Sequence, residues 1–566
     1  MGKSARIHLY FIPEVFDAGG LHDMHYIILS IDIQRGKYYV AAVYEHHAIL
    51  NPNPTAIINR QTALQLMKRN LDIYEEQVNN AAKEGAQIII FPEDGIQGFN
   101  FTRASIYPYL DFIPNLDSLT WNPCKEFYLF NDTEVLHQLS CMALKNQIFL
   151  VVNLGTKEPC MQSDPHCPPD GRYQFNTNVV FNNNGTLIAR YRKQNLYFEY
   201  AFNTPPEIDY TVFDTPFAGR FGTFTCFDIL FYEPAITLIK QYNITQVAYP
   251  TAWMNQLPLL SAIEFQQAFA TAFKINILAA NIHHPDLGMT GSGIYTPSKS
   301  FTYYDMESIN GKLIVVEIPV ITSDHETNME NIAMSHNGQK SSLDFYIEKQ
   351  VCHKDQETDC KKEENTSQEF LPVFYGIMMY DNFTLMPILN AEGNIEVCSN
   401  TLCCNLIYKQ LEKTNELYVL GVFDDLHIVH GTYYVQACVL VKCGGLNYST
   451  CGQEITEASG LIDFQLQGNF STTFIFPLLL RSGVTLDFPD YLGWGGKSYV
   501  MYKMGGSSGL ITAGLYGLQQ WCLQLLVVMS GHREAGVTLQ GYMNPGENCD
   551  GVGKPKERSG GGRLPP

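Results

Sequence analysis

The chain has 566 residues, 45% of them hydrophobic and 17% charged, a globular composition long enough for roughly two to four domains. Its 37 basic and 57 acidic residues give a net charge of −20, which repels phosphate backbones and anionic lipid and argues against a nucleic-acid partner. No apolar run reaches the roughly 18 residues that a membrane-spanning helix needs, and the late stretch QWCLQLLVVM (520–529) is too short.

Residues 1–37 hold short apolar pieces broken by charge and glycine. They lack the basic start, apolar h-region and cleavage site of a secretory signal, and form an atypical N-terminal segment. From 38 to 320 the pattern alternates. Strand-like runs YYVAAVYE (38–45), AQIIIFPE (86–93), QIFLVVNLG (147–155) and TQVAYPTAW (245–253) are separated by helical patterns such as 61–85, which Gly85 stops. This predicts an α/β domain on a large core sheet. Residues 321–370 are polar and charged and read as a linker or exposed loop. Short strand-like runs dominate 371–517, predicting a smaller β-rich domain. Residues 518–566, rich in Gly, Pro and charge, bury little and read as a disordered tail.

There are 15 cysteines, so at least one is unpaired within the chain. Seven fall between 352 and 443 and another stands at 451, predicting that the second domain is disulfide-braced. Adjacent Cys403 and Cys404 are expected to take different partners. Glycosylation acceptor patterns occur at Asn100, Asn131, Asn184, Asn243, Asn365, Asn382, Asn447 and Asn469. With the clustered cysteines they favour a secreted, oxidising setting, although no signal peptide is evident.

Three stretches contain residues able to carry chemistry. In FGTFTCFDILFYEPA (221–235) a β-prone run leads through Cys226 into a helical pattern over 229–242. Cys226 reads as a buried core thiol, half of a disulfide, or a nucleophile. At a strand-to-helix junction, nearby N–H groups and the helix dipole lower a thiol pKa and stabilise an oxyanion. In AQIIIFPEDG (86–95) a very apolar strand ends in Glu93, whose pKa desolvation would raise, as a general base needs; an ordinary turn acid fits equally well. In IARYRKQNLYFEY (188–200) Lys193 and Glu199 follow a strand, either as site residues or as a solvated hairpin end. No HExxH pattern, zinc-type Cys/His spacing or Gly-rich phosphate cradle occurs. No metal or cofactor is therefore expected, and the pairs His46–His47 and His283–His284 read as structural or pocket residues.

Glu93 is followed by Lys193 100 residues on and by Cys226 33 residues later. This order resembles the Glu–Lys–Cys set of the nitrilase superfamily. The strings VAAVYEH (40–46), IFPEDGIQGFNFTR (90–103), VNLGTKEPC (152–160), YPTAWMNQLPLL (249–260), GMTGSGI (288–294), CSNTLCC (398–404) and VLGVFDDLHIVHGTYY (419–434) resemble the vertebrate biotinidase and vanin branch. The resemblance covers about 38 to 517. The stretch NLYFEYAF (195–202) lies nearer the biotinidases, since the Gly-Glu-Asn pattern of pantetheinases is absent there.

The resemblance implies an α-β-β-α sandwich followed by a β-rich base domain. It implies hydrolysis of a secondary amide, releasing biotin from biocytin or short biotinyl peptides through a Cys226 thioester. Glu93 would be general base and acid. Lys193 and the Phe227 backbone N–H would hold the oxyanion, and Glu199 would position. Biotinyl transfer to protein acceptors stays open. So do a pantetheinase with the same mechanism and a secreted biotin-binding protein without catalysis. Cys226 would then be the thiol left over from the disulfides.

Overall fold

The computed structural model describes residues 37–161, 163–322, 372–429 and 431–519. The N-terminal segment up to 36, most of the predicted linker, the tail from 520, Asn365 and Cys352, Cys360, Cys522 and Cys549 lie outside the described residues.

The first strand, Tyr38–Glu45, coincides with its apolar run. Helix Arg60–Lys83 starts where the Asn59 side chain accepts the Thr62 N–H at 2.9 Å, and ends before Gly85, whose φ of +86° a β-carbon would disfavour. Its buried residues Ala63, Met67, Leu71, Tyr74, Val78 and Ala81 recur every three or four positions and form one apolar stripe.

Two sheets carry the site. In the first, the strand order is Lys312–Pro319, Tyr38–Glu45, Ile88–Ile90, Phe149–Pro159, Arg172–Phe181, Leu187–Arg192. In the second it is Lys299–Tyr303, Ser292–Thr296, Asn276–Ala280, Gln246–Pro250, Gly219–Thr223, Val212–Thr215. The central pairings are parallel, with Ile89 opposite Ala42 and Leu150 in one sheet and Val247 opposite Gly222 and Ile277 in the other. Alternation along each strand divides the side chains. Ala41, Val43, Ile88, Ile90 and Val151 meet Phe221, Ala248, Leu278 and Ile294 between the sheets. Ala42, Ile89, Leu150 and Val152 face the outer helices Arg60–Lys83 and Glu134–Asn146. Val247, Tyr249, Ile277 and Ala279 face helix Ala262–Phe273. The result is an α-β-β-α sandwich.

The C-terminal region is two further sheets, one seven-stranded and one five-stranded, around a core that includes Leu406, Leu420, Leu440, Phe464 and Leu515. The other face of the seven-stranded sheet receives helix Ala262–Phe273. Phe269 stacks on Phe476 at 5.5 Å, and Phe265 meets Tyr516 edge-on at 5.9 Å. Covered on both sides, strand Ile475–Arg481 is buried at every position. Disulfides Cys398–Cys403, Cys404–Cys438 and Cys443–Cys451 brace this region, and Cys403 and Cys404 do take different partners. Cys124–Cys141 and Cys160–Cys167 lie in the first region. Among the described residues no helix is long and apolar enough to cross a membrane.

Candidate active site

Glu93 and Cys226 each follow a parallel strand by three residues, so the two sheets deliver them to a cleft beyond their strand ends. Lys193 is the first residue after strand Leu187–Arg192, and its N–H donates to the Asn176 carbonyl at 2.8 Å. Lys193 is buried, which removes the solvated-hairpin reading. Its ammonium lies 2.6 Å from Glu93 Oε1 and 3.0 Å from Glu199 Oε2. The side-chain exposures of Lys193 and Glu93 are 1% and 2%, so this pair has left water almost completely.

Cys226 is the one free cysteine among the described residues, which removes the disulfide reading. It opens a 3-10 turn, Cys226–Leu230, with φ at +46°. The helical pattern expected over 229–242 is not continuous. Glu233 is extended (φ −100°, ψ 127°), and the regular α-helix is Thr237–Tyr242. Only a single 3-10 turn begins at Cys226, in place of the longer helix expected to acidify the thiol. Burial, and then the charge of Glu93, push the thiol well above its usual value, so it rests protonated.

The carboxylates depart from expectation as well. Burial raises Glu93, as anticipated, but the charge and hydrogen bond of Lys193 more than offset it and hold Glu93 below its ordinary 4.5. Burial pushes Glu199 up to about 7, against the attraction of Lys193. Asp94 is pushed well above its ordinary value by burial and by the charges of Glu93 and Glu199. Lys193 stays charged, because the two glutamates overcome the effect of its burial. Glu93, Asp94 and Glu199 form a group of three carboxylates spaced as metal ligands would be, but the Lys193 ammonium supplies the positive charge against two of them.

Several residues that matter here were not singled out in the sequence. Asn176 Nδ2 donates to Glu93 Oε1 at 2.8 Å and to Glu199 Oε1 at 2.5 Å. Asn153 Nδ2 donates to Asn176 Oδ1 at 2.5 Å, while its Oδ1 accepts from the Asp94 N–H at 3.0 Å. The Ala252 N–H donates to Glu93 Oε2 at 3.0 Å. Asp228, fully buried, anchors the cysteine turn. It accepts from the Tyr191 hydroxyl at 2.6 Å, from the Asn195 backbone and side chain at 2.9 and 2.8 Å, and from the Thr225 N–H at 3.0 Å. A buried asparagine inside an apolar strand, as in QIFLVVNLG, is the sequence signal that marks such a network.

Asp94, Phe198 and Cys226, each beside or within the Glu–Lys–Cys set, adopt left-handed φ values of +55°, +56° and +46°. Non-glycine residues there cost about 1–3 kcal/mol each, and such strain persists where the surroundings impose it. Glu93, Lys193, Cys226 and Glu199 line a cavity of about 410 Å³. A second, smaller cavity also reaches Cys226, with Phe227 on its wall. His283 bonds Glu45 at 2.7 Å and the Ser308 carbonyl at 2.8 Å, and His46 bonds Asn70 at 3.0 Å, both as parts of the fold.

Residues 54–263 match the carbon-nitrogen hydrolase family, and residues 374–521 match the Vanin C-terminal domain. The chain is 60% identical to the biotinidase of Mus musculus over 493 residues, 86% of this chain and 94% of that protein. It is 45% identical to the biotinidase of Takifugu rubripes over 511 residues, 89% and 98% of the two chains. It is also 45% identical to the pantetheinase of Bos taurus over 453 residues, 79% and 83% of the two. The sandwich and the matched hydrolase domain define a nitrilase-type enzyme acting on the carbon–nitrogen bond of amides. Within that class, the chain belongs to the biotinidase and vanin branch.

Proposed function

We propose that the enzyme releases free biotin from biocytin and biotinyl peptides, with Cys226 as nucleophile, Glu93 as base and acid, and Lys193 as oxyanion partner. The observation that carries the substrate choice is the 60% identity to a biotinidase against 45% to a pantetheinase. An amide is a poor electrophile with a poor leaving group, so it needs all three groups. As Cys226 Sγ forms its bond to the carbonyl carbon, the thiol proton passes to Glu93. The buried, neutral thiol and the ionised carboxylate support this order. Negative charge on the carbonyl oxygen is met by Lys193 and the Phe227 N–H, one such donor being worth ~10²–10³-fold in rate. The C–N bond breaks as Glu93 returns the proton to the leaving amine. Glu93 then draws a proton from water, whose attack splits the thioester and restores the thiol. Glu199 and Asn176 keep Lys193 and Glu93 in register.

Secretion and glycosylation belong to the same reading. Asn100, Asn131, Asn184, Asn243, Asn382, Asn447 and Asn469 are all exposed, as glycan acceptors must be. The catalytic domain is read as 38–320 and the base domain as 371–517, with protein amines as alternative acceptors to water.

Steady-state hydrolysis of biotinyl-4-aminobenzoate and of pantetheine tests the substrate. Turnover of pantetheine alone would replace this reading with the pantetheinase one, and turnover of neither would support a binding protein. Cys226→Ser is expected to abolish hydrolysis with the fold retained, and mass spectrometry at low pH is expected to find a biotinyl adduct on Cys226.

A further inference from the structure

The C-terminal region takes part in the site. Tyr380, His427, Val429 and Tyr433 line the smaller cavity opposite Cys226 and Phe227. His427 Nδ1 lies 2.8 Å from Asp381 Oδ2, and its Nε2 donates to the Val429 carbonyl at 2.7 Å. Its ring is 4.7 Å from that of Tyr433, which meets Phe231 edge-on at 5.6 Å. Between these two anchors lies Gly431, with φ at +146°, a conformation L side chains rarely adopt. A β-carbon on Gly431 would stand 2.9 and 3.0 Å from Cζ and Cε1 of Phe227 and 3.6 Å from Cζ of Phe231. The backbone of Gly431 therefore rests directly on the ring of the residue that follows the cysteine. Tyr197 at 5.0 Å and Phe231 at 4.9 Å pack against the same ring, so it is restrained on those sides.

We infer that Gly431 is a positioning residue for hydrolysis: seated by His427 and Tyr433, it holds Phe227 so that its N–H points at the acyl oxygen. The inference rests on the reading of that N–H as an oxyanion donor. The physical need is local. Cys226 sits in a left-handed conformation that its own sequence does not favour, so the peptide between residues 226 and 227 must be held from outside. The Tyr249 hydroxyl holds it directly by donating to the Cys226 carbonyl at 2.6 Å, Asp228 ties down the start of the turn through the Thr225 N–H, and Gly431 restrains the Phe227 ring by contact. A side chain at 431 would displace the Phe227 ring, and we take that displacement to reach the Phe227 backbone.

The test uses the full chain, with two readouts. One is kcat and KM for amide hydrolysis. The other is the rate at which iodoacetamide alkylates Cys226, a displacement that forms no oxyanion. Gly431→Ala is expected to lower kcat at least tenfold, leaving KM and the alkylation rate within about twofold, because one oxyanion donor is worth ~10²–10³-fold. In the Phe227→Leu background the same substitution is expected to lower kcat several-fold less than it does alone, since the shorter side chain removes the contact while the positive φ at 431 is unchanged. Unchanged kcat, or an equal fall in kcat and alkylation, overturns the inference. If Gly431→Ala does not fold alone, the comparison of Phe227→Leu with and without it decides: a further tenfold loss there overturns it. Hydrolysis that survives full alkylation of Cys226 would instead overturn the nucleophile reading beneath it.

Discussion

The Lys193 ammonium and the Glu93 carboxylate meet at 2.6 Å with almost no exposure to water, and Glu199 approaches the same ammonium at 3.0 Å. One cation thus compensates two buried acids, and this arrangement sets the protonation of the whole site. Lys193→Met would leave both acids without a countercharge. Breaking a buried pair by removing one partner costs about 3–5 kcal/mol. Hydrolysis is expected to fall by at least ~10²-fold and the urea midpoint to drop. An unchanged midpoint would mean that the ammonium does not offset the buried charge.

The same pair sets the acid limit of activity. Burial alone would raise Glu93, but Lys193 holds it below 4.5, so its basic form persists as pH falls toward that value. The acid limb of kcat/KM is therefore expected below pH 4.5. A limb centred near pH 6 would show that Lys193 does not control Glu93.

Glu199 acts on stability with the opposite sign. Burial raises it from 4.5 to about 7 in the folded state. Its favourable contribution is thus fully present below about pH 4.5 and is lost as pH rises through about 7. Melting temperatures are expected to decline over that window. Glu199→Gln, which imitates the protonated carboxyl, is expected to flatten the decline, as scanning calorimetry at several pH values can test. An unaltered slope would assign the effect to the other acids that burial raises, Asp94, Asp111, Asp228 and Glu264.

Asp228 accepts four hydrogen bonds, which tie Tyr191 and Asn195, on either side of Lys193, to the cysteine turn at Thr225. Asp228→Ala orphans those donors, each costing roughly 1–3 kcal/mol when buried without a partner. Both the denaturation midpoint and kcat are expected to fall. Asp228→Asn is expected to retain part of each, because its carbonyl oxygen still accepts. If Asp228→Ala altered neither, the anchoring role would be wrong.

Some of this was legible in residue order. Tyr38–Glu45 and the helix stopped at Gly85 follow from alternation, 3.6-residue periodicity and a chain terminator, all local properties. The separation of Cys403 from Cys404 was also legible. The continuous helix over 229–242 was not borne out. Its apolar spacing is met instead by a 3-10 turn, an extended Glu233 and a short helix, with Phe227 and Phe231 turned toward Tyr433 of the C-terminal region. Tertiary packing overrode the local pattern there. An asparagine inside an apolar strand, as Asn176 is, marks a buried polar network, but its partners, like those of Asp228, become visible only after the chain has folded.

By itself, the sequence determined which reactive groups the chain offers: an acid at the end of an apolar strand, a lysine after a basic strand and an odd cysteine count that leaves at least one thiol unpaired within the chain. Only the tertiary structure decided their states. The protonated thiol, the ionised Glu93 and the raised Glu199 arise from mutual burial and charge across residues up to 133 positions apart. Residue types fix intrinsic acidities, whereas desolvation and Coulomb attraction depend on which groups share a water-poor space, and that is a property of the fold.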